Sequence, residues 1–148
     1  MIPTLMLLPL IVMGIFISVP APKPVQVGQV FSLNIGEEVQ LSDSLSGLIT
    51  SLKLNAVNDN RCPTDVHCIQ AGEVTVKLEV AGAATKLMEI SKTAAFYLTN
   101  DSTSKYNPAA VLAPGYELVL LQAFPYPEVK SGARATAVQL RVQPIKII

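Results

Sequence analysis

Eight residues, Glu73 to Val80, read EVTVKLEV and alternate polar and apolar side chains without a break. Val74, Val76, Leu78 and Val80 share one parity; Glu73, Thr75, Lys77 and Glu79 share the other. Successive side chains of an extended chain point to opposite faces, so this pattern buries a single face only as a strand. A helix would scatter the same apolar residues around its circumference. Half-burial of this kind belongs to an antiparallel sheet with one face on the core and one in water.

The pattern recurs. Leu48 to Val57 places Leu48, Leu52, Leu54 and Ala56 inward, and near the end Val138, Leu140 and Val142 alternate with Gln139, Arg141 and Gln143. Shorter strands are predicted at Val30 to Ile35, Glu38 to Leu41, Thr85 to Ile90 and Tyr116 to Ala123. Gly36, SDSLSG, Gly82, APG and KSG separate them as turns. No long segment carries a helical period; SKTAAFYLT reads equally as a short helix or a strand. Some seven short strands between regular turns predict an all-β fold, a single antiparallel β-sandwich or small barrel. NDSTSKYNPAAVLAP, from Asn100 to Pro114, is the longest stretch predicted to be irregular, and it contains the glycosylation sequon Asn100-Asp101-Ser102.

A chain of 148 residues has room for one substantial domain. Its first residues are set apart from the rest. Residues 1 to 19 include only Thr4 and Ser18 as polar side chains, and the first charge is Lys23. Pro3, Pro9 and Gly14 make this a poor buried helix, while its length suits a signal peptide or a membrane anchor. Residues 1–21 are therefore predicted to direct export or anchoring. Val19-Pro20-Ala21 offers small residues for cleavage, which Pro22 opposes. Pro20, Pro22 and Pro24 open a stiff spacer over residues 22–29, and the sandwich domain follows over residues 30–148. If the segment stays, the partner it implies is a membrane. Eleven Lys and Arg balance eleven Asp and Glu and are scattered singly, without the basic footprint that nucleic-acid binding requires.

Chemistry concentrates in DNRCPTDVHCIQAGE, from Asp59 to Glu73, which holds both cysteines and the single histidine. Two cysteines in an exported domain pair as a disulfide, so Cys62 and Cys68 are predicted to staple the loop. Closing so short a loop contributes about 2 kcal/mol in the chain-entropy model. Pro63 restrains the same turn. The five-residue gap and the lack of a following helix do not suit thiol redox chemistry. Zinc would need Cys62, His67 and Cys68 together, and adjacent His67 and Cys68 diverge on an extended chain. Asn58, Asp59, Asn60, Asp65 and Glu73 offer oxygens to calcium, although their spacing matches no EF-hand. His67 lacks a nucleophile partner in sequence and no G-x-S-x-G occurs. Glu37 and Glu38 face opposite ways on a strand and make a poor carboxylate pair. Arg61 is predicted to lock the loop by pairing with Asp59 or Glu73, and Gly72 to supply a backbone conformation closed to other residues.

NDNRCPTDVHCIQAGEVTVKLEV resembles a pattern in small exported bacterial proteins and lipoproteins, in which a D-x-R-C-P-x-x-V-x-C-x-x-A-G-E core runs into a strand. Asp59, Arg61, Cys62, Pro63, Val66, Cys68, Ala71, Gly72 and Glu73 carry the likeness, with looser support from GEEVQL and YELVLLQAFPYP. It covers about two-thirds of the chain beyond the N-terminal segment and implies export and a disulfide, but no activity. Such proteins tend to carry Trp where this chain has Gln70, and many carry a lipoprotein cysteine that this chain lacks.

These readings predict a non-enzymatic extracytoplasmic binding or interaction module with no resident cofactor and with a possible protein partner. Its loop-structuring or binding residues are Asp59, Arg61, Pro63, Asp65, Gly72 and Glu73 around the Cys62–Cys68 staple. The alternative is a calcium-dependent module or a carboxylate-based enzyme centred on residues 59–73.

Overall fold

The computed structural model describes residues 21–42, 49–82, 85–93 and 109–146. Nine strands run in order through them: β1 (Lys23–Val25), β2 (Val30–Asn34), β3 (Glu38–Leu41), β4 (Ile49–Asp59), β5 (Glu73–Gly82), β6 (Lys86–Thr93), β7 (Ala109–Ala113), β8 (Tyr116–Phe124) and β9 (Ala137–Pro144). They form two open sheets, ordered β1-β3-β4-β5-β6 and β2-β9-β8-β7. Neither closes on itself, so the barrel alternative gives way to two layers. Both layers feed one core: Leu52, Leu54, Val76 and Leu78 from the first meet Leu33, Leu118, Val138 and Leu140 from the second, all fully buried.

The alternating stretch from Glu73 forms β5, as its pattern predicts. Val74, Val76, Leu78 and Val80 of β5 are buried, between β4 on one side and β6 on the other. Thr75 departs from its parity by being buried too, and its hydroxyl meets that of Ser91 at 2.9 Å. In β4 the alternation holds at Leu52 and Leu54 but fails at Ala56, which is exposed. A bulge between Leu54 and Ala56 adds a residue and inverts the faces beyond it, so Val57 packs on the core instead. Leu48 lies outside the described residues.

The pairing is antiparallel except at one edge, where β1 lies parallel to β3. β1 falls inside the stretch read as a spacer, and Val25 is buried at 4% exposure, so the sheet begins at Lys23. β7 likewise falls inside the stretch read as irregular; the sequon at Asn100 lies outside the described residues. Of SKTAAFYLT, Ser91 to Thr93 continue β6 and the remainder lies outside them. The other predicted strands match to within a few residues of their ends.

The β2–β3 turn needs a left-handed residue, and Gly36 supplies it at φ +86°. Its amide donates to the Leu54 carbonyl at 2.7 Å, tying the turn to β4. The side where β6 faces the second sheet is closed by two lysines. Lys86 Nζ donates to the Leu112 carbonyl at 3.2 Å, and Lys92 Nζ donates to the Leu121 carbonyl. Leu112 and Leu121 are the residues left out of register at the bulges in β7 and β8. A bulge frees a carbonyl from the ladder, and here each is taken by a cation from the opposite layer.

Candidate functional site: the stapled end

β4 ends at Asp59 and β5 begins at Glu73, so residues 60–72 form a loop at one end of the sheets. The second sheet reaches the same end where β8 finishes at Phe124 and β9 starts at Ala137. The two connections dock on each other. Thr64 N donates to the Pro127 carbonyl at 3.1 Å, and the Asp65 carboxylate accepts the amides of Val129 and Lys130 at 2.8 and 2.9 Å. Those two amides hold the Asp65 carboxyl below its ordinary range.

Arg61 lies at the centre, buried at 7% exposure. Its Nε donates to Asp59 Oδ1 at 2.7 Å and its Nη2 to Asp59 Oδ2 at 2.8 Å, the bidentate fork that suits a guanidinium. Nη1 donates to the Ala123 carbonyl at 3.0 Å and Nη2 also to the Pro125 carbonyl at 3.3 Å. The guanidinium carbon stands 4.3 Å from the centre of the Tyr126 ring, within reach of a cation–π contact. Asp59 completes the link by accepting the Ala135 amide at 3.1 Å. One residue pair thus joins the end of β4 to the end of β8 and the approach to β9. Burial by itself would raise the Asp59 carboxyl; the Arg61 hydrogen bond and charge, with the Ala135 and Arg61 amides, outweigh it and hold it below the ordinary value.

The two partners offered to Arg61 by the sequence are therefore resolved. Asp59 takes the guanidinium, while Glu73 Oε2 is buried with no hydrogen-bond partner among the described residues. Cys62 and Cys68 are disulfide-bonded, with Cα atoms 5.9 Å apart. The Cys62 amide donates to Ala71 at 2.9 Å and the Asn60 amide to Glu73 at 2.8 Å, so the β4–β5 pairing runs on past the strands into the staple. Gly72 sits between those bonds at φ +73°; a Cβ there would stand 2.0 Å from the Asn60 carbonyl oxygen. That approach, together with the left-handed backbone, admits glycine alone. Pro63 follows Cys62 at the base of the loop, and its carbonyl accepts the Val66 amide at 3.5 Å.

His67 and Gln70 are both exposed. Among the described residues, no three His, Cys, Asp or Glu side chains gather as a metal site. Of the oxygens that the sequence offers to calcium, the Asp59 and Asp65 carboxylates are turned onto Arg61 and onto backbone amides. Sequence reasoning did not find Tyr126, or the carbonyls of Ala123 and Pro125. Their signal was the FPYP run, Phe124 to Pro127, whose prolines restrict the backbone; the Phe124–Pro125 peptide is cis.

Comparison with protein-family models, with curated proteins and with solved structures returned no match. The fold and the stapled end therefore stand on their own geometry.

Proposed function

We propose that this chain is a non-enzymatic extracytoplasmic β-sandwich protein, held at the cell envelope by its N-terminal apolar segment and acting there as a binding or interaction module. The observation that carries this reading is the use made of Asp59, Arg61, Asp65 and the two cysteines within the 59–73 loop. Arg61, Asp59 and Asp65 spend their charged groups on one another and on backbone atoms of the facing connection. The two cysteines are spent on each other. Groups used in this way shape a surface and are not free to turn over a substrate. The disulfide favours an oxidising compartment, in keeping with an apolar segment that directs export.

Two measurements test the reading. Expressed in a bacterium with its own N-terminus, the chain is expected in the membrane fraction, open to protease added outside the cytoplasmic membrane, with thiols that alkylate only after reduction. Free thiols in a protease-protected chain would contradict it. The non-enzymatic part fails if Glu73→Gln abolishes a measured turnover while leaving the melting curve unchanged.

A further inference from the structure

The stapled end exposes more apolar surface than its role as a lock requires. Eight large hydrophobic residues are exposed among the described ones: Val30, Ile35, Val66, Ile69, Leu87, Val111, Tyr126 and Val129. Five of these, Ile35, Val66, Ile69, Tyr126 and Val129, belong to this end. Ile35 joins them because its amide donates to the Thr136 carbonyl at 3.0 Å, just before β9. Ile69 is the extreme case, 101% exposed on a loop closed by a disulfide. Val66 and Val129 flank Asp65 and the amide it caps, and Tyr126 lies against Arg61. Ile35, Val66 and Val129 are held by their own amides, and Ile69 follows directly on the disulfide-bonded Cys68, so these side chains are displayed from restrained backbone.

The direction in which the chain enters the fold says what this end faces. Lys23 pairs with Val39, and Val39 with Leu52. β1 is parallel to β3, and β3 antiparallel to β4, which runs toward the stapled end at Asp59. Traced backwards from Val25 to Lys23, the chain therefore heads toward the stapled end, while the last strand finishes at Pro144 at the opposite end. The apolar run closes at Val19, and the four steps from Val19 to Lys23 span at most about 14 Å. From the level of Leu52, strand β4 continues for about 20 Å to Asp59, with the loop beyond it. A tether shorter than this projection cannot hold a sheet that points at the bilayer clear of it.

We infer that the stapled end is a lipid-contacting surface, with Ile69, Val66 and Tyr126 seated in the interfacial layer of the membrane that retains the N-terminal segment. This rests on the membrane-held reading above and adds the orientation and the surface that meets lipid. Aliphatic side chains with an aromatic ring suit that layer, where one end of the ring is apolar and the other wet. Lys130 and Arg134, both exposed on the connection before β9, stand at the same end, where cationic side chains suit anionic headgroups.

The chain contains no tryptophan, so an introduced one reports alone. The full chain carrying Ile69→Trp is reconstituted into phosphatidylcholine–phosphatidylglycerol vesicles with and without brominated acyl chains, beside Val66→Trp and a Leu87→Trp control. Leu87 is 77% exposed on the outer face of the other sheet edge and touches nothing this reading needs. The expected result is blue-shifted emission and strong bromine quenching for Ile69→Trp and Val66→Trp, and neither for Leu87→Trp. A chain that floats with the vesicles while all three report water overturns the lipid contact and leaves anchoring intact. A chain that does not float overturns both. Blue-shifted emission without bromine quenching means that a second copy covers the surface, and quenching of all three means that the domain lies flat; either result overturns the inference.

Discussion

Two ion pairs among the described residues stand about as far apart in character as ion pairs can be. Lys77 and Glu89 face each other across β5 and β6 at 3.8 Å, with side chains 60% and 59% exposed. Arg61 and Asp59 meet at 2.7 Å, with side chains 6% and 1% exposed, and bring in two carbonyls, a backbone amide and an aromatic ring. The first pair is what a polar outer face leaves over, screened and weakly held. The second carries a large desolvation cost that only its complete set of partners offsets. The lesson lies in the consequence of failure: removing one member of the exposed pair leaves a solvated charge, whereas removing one member of the buried pair leaves an uncompensated charge between two sheets.

The largest effect is therefore expected at Arg61. Arg61→Ala should lower stability by about 3–5 kcal/mol, since Asp59 is left buried without its cation. Arg61→Lys should recover only part of this, because an ammonium cannot form the fork. Denaturant unfolding of the two variants measures both. Next comes Gly72→Ala, with about 2–4 kcal/mol lost to the left-handed backbone and to the clash with the Asn60 carbonyl. Loss of the Arg61-to-Ala123 contact without loss of the strands would show in hydrogen exchange at the ends of β4 and β8. Replacing Cys62 and Cys68 together by Ser should cost about 2 kcal/mol, less than either, because the loop is also held by its docking on the facing connection.

A pH titration sharpens the contrast further. Asp59 has its folded pKa below the ordinary value of 3.8, so its contribution is fully present above that value and is lost as pH falls through the folded one. Asp65 is depressed as well and adds to the same acid limb. Urea midpoints measured down this limb should fall for the native chain and fall less for Asp59→Asn, which starts lower and has no such proton to take up.

How far these features were legible in the sequence depends on whether their causes were local. β5 was plain because it lies inside its sheet, paired with β4 and β6 along most of its length, and turns one face to the second sheet, so period and burial coincide at every position but Thr75. Ala56 was misplaced because a bulge shifts the faces without marking the side chains. β1 and β7 were missed for a related reason: β7 reads AAVLA, with no polar residue to mark an alternation, and the three residues of β1 gain their pairing from β3, across a turn and another strand. At the stapled end, the cysteine pair and the special backbone of Gly72 were readable from residue type and spacing. The choice of Asp59 over Glu73 was not, because it turns on Ala123, Pro125 and Ala135, more than sixty residues away in the chain.

The central claim is that one buried pair couples the two sheets at this end, and a double-mutant cycle addresses it directly. Asp59→Ala, Arg61→Ala and the double variant are unfolded in urea in the chain from Ala21 onward, which contains every core residue among the described ones. The same cycle is run at Lys77 and Glu89 for reference. The expected coupling is about 2–3 kcal/mol for Asp59 and Arg61, and less than about 0.5 kcal/mol for Lys77 and Glu89. Equal, small couplings at both places would contradict it.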